Sequence, residues 1–258
     1  MEIRKYYQKI KNVLGISLQL AKAEFKLRNE GSYLGIFWYL LNPILTFALL
    51  LFVFNDRLGS GIKYYMLYLL LGVIMFNFFQ NATIDACKAI KDNNYIIKSI
   101  NFPTESLVIA IVLKNLFSHL FEILLFSIIF AFSGLYWANI LYYLIILLFL
   151  VFFILGSSLV LSSLTVIFFD LDNLWIFGVR MLWLATPIFY SIGGQAKLFY
   201  FNILNPLYYF ITVARDLIIY GQMPPNWMIY GLILFSFVFL AIGWLVFRFL
   251  KNKFAELI

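Results

Sequence analysis

The ionisable side chains within apolar stretches are the first candidates for chemistry in this sequence. His119, the single histidine, precedes Glu122 by three residues, and Lys114 belongs to the same apolar stretch. Because this spacing places His119 and Glu122 on one face of a helix, their side chains are within hydrogen-bonding reach. Ionisable groups inside a membrane often mark functional sites. These residues therefore indicate either a proton relay or a locally neutralised polar cluster that holds helices together or faces a water-filled cavity.

Arg180 is a further ionisable residue inside an apolar stretch, and it could pair with Asp170 or Asp172 or line a cavity. Other chemistries lack the residues that they require. The sequence contains no GxxxxGKS/T phosphate-binding loop, no HExxH motif and no cysteine–histidine cluster. We therefore expect it to bind neither ATP in the P-loop manner nor a metal ion. Cys87 is the single cysteine, which excludes an internal disulfide.

The composition places these residues in a membrane protein. Hydrophobic residues make up 64% of the 258 residues and charged residues 12%, whereas soluble domains are about half apolar and about a quarter charged. The net charge is +7. Because little soluble surface is expected for nucleic-acid binding, this positive charge instead indicates orientation in the membrane and contact with anionic lipid. Aromatic residues make up 21%. They are typical of an interfacial belt, and some could stack on sugar rings along a permeation path.

The apolar stretches predict an all-α integral membrane protein that forms a single transmembrane domain. A membrane-spanning helix needs about 20 mainly apolar residues. The six predicted spans are residues 34–54, 64–83, 105–132, 140–169, 174–193 and 227–249. Because the fourth is unusually long, we expect it to be tilted, kinked at the LGSS of residues 155–158, or extended beyond the bilayer.

The distribution of basic residues predicts the orientation. Lysines and arginines outside the spans concentrate in the N-terminal segment, in residues 84–103 and after residue 247. The positive-inside rule therefore predicts that these segments and both termini are cytoplasmic. Within residues 4–30, apolar side chains recur at helical spacing among lysines, which predicts an amphipathic helix in the cytoplasmic interface. The apolar positions are Ile10, Leu14, Leu18, Ala21 and Phe25.

Two segments between the predicted spans are unusual. Residues 84–103 are polar in an otherwise apolar chain, and residues 85–100 within them have the pattern of a short amphipathic helix before Pro103. On the opposite side, residues 207–220 show helical spacing of apolar residues but are too short to span a membrane. We expect a re-entrant or interfacial helix there, with Arg215 and Asp216 near the lipid headgroups.

Four motifs, in the same order and at the same spacing, resemble those of the membrane subunits of ABC-2-type exporters. They are EFKLRNEGSYLGIFWYLLNPIL (24–45), YIIKSINFPTE (95–105), TPIFYS (186–191) and LNPLYYFITVARDLIIYGQMP (204–224). Together they cover nearly the whole chain. Ile97 departs from the pattern, because the family often has a basic residue before the Lys98 position. The chain length is similar to that of permeases that export O-antigen, capsule or teichoic acid.

The resemblance implies a permease and not an enzyme. It implies a homodimer in a bacterial inner membrane, with two copies of a separate ATPase subunit that binds Mg-ATP, and an undecaprenyl-linked polysaccharide as substrate. Residues 85–100 would form the coupling helix that docks on the ATPase, and residues 194–224 an outer gate. The coupling residues would be Ala86, Ala89, Ile90, Asn93, Ile97 and Lys98. The gate residues would be Tyr208, Tyr209, Arg215 and Asp216.

The resemblance also suggests a path between the first and fifth spans. Candidate lining residues are Tyr39, Phe47, Trp183 and Tyr190. Three further hypotheses stay open. The chain could be an ABC-2 exporter of a small drug-like molecule or lipid, a membrane-embedded transferase that uses His119 and Glu122, or a proton-coupled flippase that works without an ATPase.

Overall fold

The computed structural model describes residues 2–29, 35–99, 102–193 and 195–254, although a few side chains in these ranges, including that of Tyr39, lie outside the description. Within these ranges the chain is helical and has no β-strand, which confirms the predicted all-α class. The helices are α1 (Glu2–Asn29), α2 (Trp38–Leu58), α3 (Tyr65–Lys88), α4 (Asn94–Ser99), α5 (Glu105–Ala131), α6 (Tyr142–Ile167), α7 (Leu171–Ala185), α8 (Ala196–Ile203), α9 (Pro206–Ala214) and α10 (Asn226–Leu250).

In the described part of the chain, four helical segments are long and apolar enough to cross a membrane, and they match the predicted second, third, fourth and sixth spans. They are Tyr65–Lys88, Glu105–Ala131, Trp137–Ile167 and Asn226–Lys253. The chain is therefore a multi-pass membrane protein. In α2 the apolar part is limited to Leu40–Asn55, and α7 has only 15 residues. Membrane crossing by α2 and α7 stays a prediction.

The predicted fifth span, residues 174–193, is helical over only part of its length. α7 ends at Ala185, and Thr186 has an extended backbone with φ −78° and ψ 137°. Pro187 explains this end, because a proline disfavours the α conformation of the preceding residue and donates no backbone hydrogen bond. The TPIFYS motif therefore forms an irregular turn outside the helix.

α3 lies at the centre of the fold. It contacts α2, α5, α6 and α7, and Leu69, Leu70 and Leu71 in its first half have no exposed surface. Aromatic rings extend this core toward α6 and α7. The Phe79 ring stacks on Phe153 at 5.5 Å between centroids and meets Trp175 edge-on at 6.2 Å. α3 therefore forms the rigid support on which the flanking helices are placed.

α6 and α10 cross at two glycines. A Cβ atom on Gly156 would lie 2.3 Å from the backbone of Phe239, and one on Gly243 would lie 2.2 Å from the carbonyl oxygen of Gly156. Small residues let two helix backbones approach this closely inside a membrane. The LGSS stretch that contains Gly156 lies within the uninterrupted α6 helix, so its glycine serves the crossing with α10.

α1 packs along α5 and buries only part of the predicted apolar stripe. Ala21 of the stripe and Ser17 beside it have no exposed surface, whereas Ile10 and Leu14 of the stripe are about half exposed. Phe25 packs against two phenylalanine rings of α5, at 6.1 and 6.3 Å between centroids. Small residues bring α1 close to α5, and this leaves larger apolar side chains on the outer surface of the helix.

We call residues 84–103 the polar segment. A single helix was predicted over residues 85–100, and the structure, which does not describe residue 100, shows two helical pieces there instead. α3 continues to Lys88, a turn follows, and α4 covers Asn94–Ser99. Ala86, Ala89 and Ile90, which were predicted to contact a partner, are buried. They pack with the ends of α5, α6 and α10 in a second apolar cluster. These three apolar side chains are therefore not free to contact a partner, because the ends of α5, α6 and α10 already cover them.

Candidate functional site

A polar cavity of about 720 Å³ lies between α2, α3, α5 and α7. Its walls combine one cation, one carboxylate, several amides and two tryptophans. The lining residues are Gly35, Trp38, Asn42, Pro43, Thr46, Asn77, Gln80, Asn81, Ser118, Glu122, Arg180, Trp183 and Leu184. A polar space among apolar helices is a candidate ligand site, because polar groups inside a membrane are costly unless they serve function or packing.

The amides of the polar cavity come mainly from one face of α3. Asn77, Gln80 and Asn81 are spaced by three and four residues and therefore share a helix face. These residues are not among the predicted site residues, although their spacing is readable from the sequence. The signal was a polar triplet in helical register within the predicted second span.

Glu122 is held in the cavity wall by a buried hydrogen-bond chain. Its Oε2 lies 2.7 Å from His119 Nδ1, and His119 Nε2 lies 2.7 Å from the Tyr143 hydroxyl. A neutral imidazole with its proton on Nδ1 donates to Glu122 and accepts from Tyr143, which satisfies both ring nitrogens. Phe78 stacks on the imidazole at 4.6 Å. His119 is 1% exposed, so it positions Glu122 and does not itself face the cavity.

Arg180, predicted to pair with Asp170 or Asp172 or to line a cavity, and Trp183, predicted to line a path, both lie in the wall of the polar cavity on α7. Among the described residues, no carboxylate lies within ion-pair distance of Arg180. A guanidinium presents a planar fork of donors that matches a phosphate, and tryptophan offers an apolar face. The arrangement can therefore bind a ligand that carries both a phosphate and hydroxyl groups.

Lys114 belongs to a different site from His119 and Glu122, which corrects their predicted grouping. Its Nζ lies 3.0 Å from Asp85 in α3 and 3.2 Å from Glu24 in α1. Asp85 also accepts a hydrogen bond from Asn115 at 3.0 Å. This network fastens α1 and the end of α3 to α5.

Two of the other predicted path residues, Phe47 and Tyr190, are not among the described residues that line the polar cavity. Phe47 is buried in the apolar core and is 7% exposed. The Tyr190 hydroxyl donates to the carbonyl oxygen of Ala185 at 2.7 Å, and the Tyr190 carbonyl accepts from the Tyr68 hydroxyl at 2.8 Å. The side chain of Tyr39 lies outside the described residues.

Arg215, which was predicted to lie near the lipid headgroups, is buried within the protein. It starts a π-helical turn, Arg215–Ile219, that follows α9. Its guanidinium donates to the carbonyl oxygens of Tyr68, Pro187 and Ile188 at 2.7–3.1 Å and lies 3.3 Å from the centre of the Tyr68 ring. Burial lowers the pKa of Arg215, and the nearby Tyr68 opposes this shift. Arg215 thus joins the outer segment, residues 195–224, to α3 and to the turn after α7.

The remaining predicted gate residues are also largely enclosed. Tyr208 and Tyr209 are 6% and 5% exposed. The Tyr209 hydroxyl donates to the carbonyl oxygen of Ile203 at 2.8 Å, and its ring lies where a Cβ atom on Gly231 would clash. Burial raises the pKa of the half-buried Asp216, and the Arg215 guanidinium opposes that shift. These residues therefore belong to the tightly packed interior of the outer segment.

The fold and the cavity agree with the sequence relationships of the chain. The sequence model described as ABC-2 type transporter matches residues 17–219, and the chain belongs to this family of membrane transporter subunits. It is 24% identical to the O-antigen export system permease protein RfbA of Myxococcus xanthus, over 98% of both chains. It is 26% identical to a permease of the same name from Klebsiella pneumoniae, over 93% of both chains.

Proposed function

We propose that this chain is the membrane-spanning permease subunit of an ABC exporter that moves a lipid-linked polysaccharide, while a separate subunit hydrolyses ATP. The observation that carries the proposal is the polar cavity, where Arg180, Glu122, amides and tryptophans face one space. Family membership supports the transport role. The names of the full-length relatives support the substrate class.

Each group of the polar cavity suits one part of a lipid-linked sugar. Arg180 would bind the phosphate that joins the lipid to the first sugar. Asn77, Gln80 and Asn81 carry donors and acceptors that match sugar hydroxyls. Trp183 would cover the apolar face of the ring.

The complete transporter would be a homodimer with two ATPase subunits that bind Mg-ATP. Six membrane spans, with α2 and α7 included, provide half of the usual pathway, so two copies would complete it. The basic N-terminal segment and tail support a location of both termini in the cytoplasm and of the protein in a bacterial inner membrane. The substrate would be undecaprenyl-linked and similar to O-antigen.

The ATPase would dock on the solvent-exposed surface of the polar segment and not on its buried apolar face. Tyr95 is 80% exposed, and Lys88, Asp92 and Lys98 near it are also exposed. Lys91 fastens the segment to the loop after α6, because its Nζ donates to the Phe169 carbonyl oxygen at 2.7 Å. Movement of a docked ATPase would therefore reach α3 and α6 directly.

Complementation of a deletion strain tests the function. The wild-type gene should restore polysaccharide on the cell surface, whereas Arg180→Gln and Trp183→Ala should restore much less and leave lipid-linked polysaccharide inside the cell. The matched controls are Lys197→Gln and Trp137→Ala, which change exposed residues outside the cavity. Normal surface polysaccharide in the deletion strain would contradict the proposal.

The size of the polar cavity favours a second candidate, an ABC-2 exporter of a small drug-like molecule or lipid. A volume of about 720 Å³ falls in the range of about 300–1,000 Å³ that is usual for small-molecule sites. The same deletion strain separates the candidates. Loss of drug resistance or of lipid export, with unchanged surface polysaccharide, would identify this second function.

A further inference from the structure

A second cavity, of about 560 Å³, lies between α1, α5 and α10 near the start of α5 and shares no lining residue with the polar cavity. It is distinct in composition, because apolar side chains form most of its wall and two cationic side chains, Arg248 and Lys251, complete it. The residues that line it are Ile10, Val13, Leu14, Glu105, Ile109, Trp244, Phe247, Arg248, Lys251 and Asn252. We call it the α1–α10 crevice.

The apolar wall of the crevice suits an acyl chain. Ile10 and Leu14 remain about half exposed even though α1 is packed on α5. Trp244, 45% exposed, stands near the end of the last span, where tryptophan commonly meets the membrane interface. A surface of this kind is favourable only when lipid or another apolar group covers it.

The charges of the crevice suit one anionic group. Lys251 is paired with the buried carboxylate of Glu105, so its charge is already compensated. Arg248 is exposed, and in the described part of the chain no carboxylate lies within ion-pair distance of it. An arginine that has no carboxylate partner among the described residues and lies beside an apolar crevice is complementary to a phosphate attached to hydrocarbon chains. Basic pockets between membrane helices are known to recognise anionic lipid headgroups in this manner.

We propose that the α1–α10 crevice is a binding site for one anionic phospholipid. Arg248 binds the phosphate, and an acyl chain lies against Ile109, Trp244 and the exposed side chains of α1. The bound lipid joins α1 to α10, which stabilises α1 on the membrane face of the protein. This site is separate from the polar cavity and does not depend on the proposed transport substrate.

Native mass spectrometry of the detergent-purified chain, titrated with phosphatidylglycerol or phosphatidylcholine, tests this proposal. The wild type should retain one phosphatidylglycerol more tightly than phosphatidylcholine. Arg248→Gln should weaken the phosphatidylglycerol complex about five-fold, and Arg248→Lys should preserve much of the binding. Lys22→Gln, which changes an exposed lysine of α1 outside the crevice, should have no effect.

Three results would overturn the proposal. Equal retention of both lipids would show an apolar surface without headgroup selection. Unchanged phosphatidylglycerol binding by Arg248→Gln would remove the assigned phosphate contact. Competition by free glycerol phosphate at the same concentration as the lipid would show a site for phosphate alone, without an acyl chain.

Discussion

His119 is the residue whose environment most constrains the chemistry of this chain. Both of its ring nitrogens have hydrogen-bond partners, and a phenylalanine ring covers one face. A catalytic base in a transferase needs access to its substrate, whereas His119 is enclosed. Its contacts therefore favour the locally neutralised cluster over the transferase hypothesis.

We expect His119→Ala to lower stability, and to reduce transport only as far as Glu122 loses its position in the cavity wall. The change leaves Glu122 and the Tyr143 hydroxyl without their partner, and each buried polar group left unpaired costs about 1–3 kcal/mol. Thermal unfolding in detergent, together with surface polysaccharide normalised to the amount of folded protein, measures both effects. Tyr136→Phe, at an exposed tyrosine, serves as a control. Lost transport at unchanged stability would instead indicate a chemical role for His119.

We expect Arg215→Lys to destabilise the outer segment despite the retained charge. A lysine amine cannot reach the three carbonyl groups that the guanidinium fork contacts, and each lost hydrogen bond to a charged group costs about 1.5–3 kcal/mol. Proteolysis of the folded protein within residues 195–225 should become faster. Lys197→Arg in the same segment, at an exposed position, should behave like the wild type, and equal protection of both variants would contradict the assigned role.

The helices show how far periodicity alone predicts this fold. Apolar length located α3, α5, α6 and α10 closely, because each has a long hydrophobic run. It overestimated how far α7 extends, because Pro187 ends the helix at Ala185. It also predicted one helix over residues 85–100, where α3 ends at Lys88 and α4 begins at Asn94. Local spacing could not show that Ala86 and Ile90 are buried against distant helix ends. Local patterns thus identify elements, whereas tertiary contacts decide which face is free.

We expect Gly156→Ala to weaken the packing of α6 on α10. The added methyl group would lie 2.3 Å from the Phe239 backbone, so the helices must separate, at a cost of about 1–3 kcal/mol. The melting temperature in detergent should fall. Gly178→Ala is a matched control on α7, because its new Cβ would have a nearest neighbour at 3.9 Å. Equal melting temperatures for both variants would show that α6 and α10 do not cross as described.

At the scale of the whole molecule, the chain is a multi-pass membrane protein of the ABC-2 transporter family with a polar cavity between α2, α3, α5 and α7. The motif resemblance predicted the family, and the sequence model that matches residues 17–219 confirms it. Trp183 and Arg180 were predicted to line a path or a cavity, and both face the polar cavity. The α3 amides were not predicted, because neutral polar residues interrupt an apolar stretch less clearly than charged residues do. Phe47 was misplaced because its depth in the core depends on neighbours that sequence spacing does not reveal.

ATP-driven transfer of a lipid-linked polysaccharide in proteoliposomes tests the proposed function most directly. The chain would be reconstituted with the ATPase encoded beside it, and the substrate that crosses the bilayer would be measured with ATP or with a non-hydrolysable analogue. We expect transfer only with hydrolysable ATP, and about ten-fold less transfer by Arg180→Gln because a charge-assisted phosphate contact is lost. Transfer without the ATPase, or equal transfer by Arg180→Gln, would contradict the assignment of the polar cavity as the substrate site of an ABC exporter.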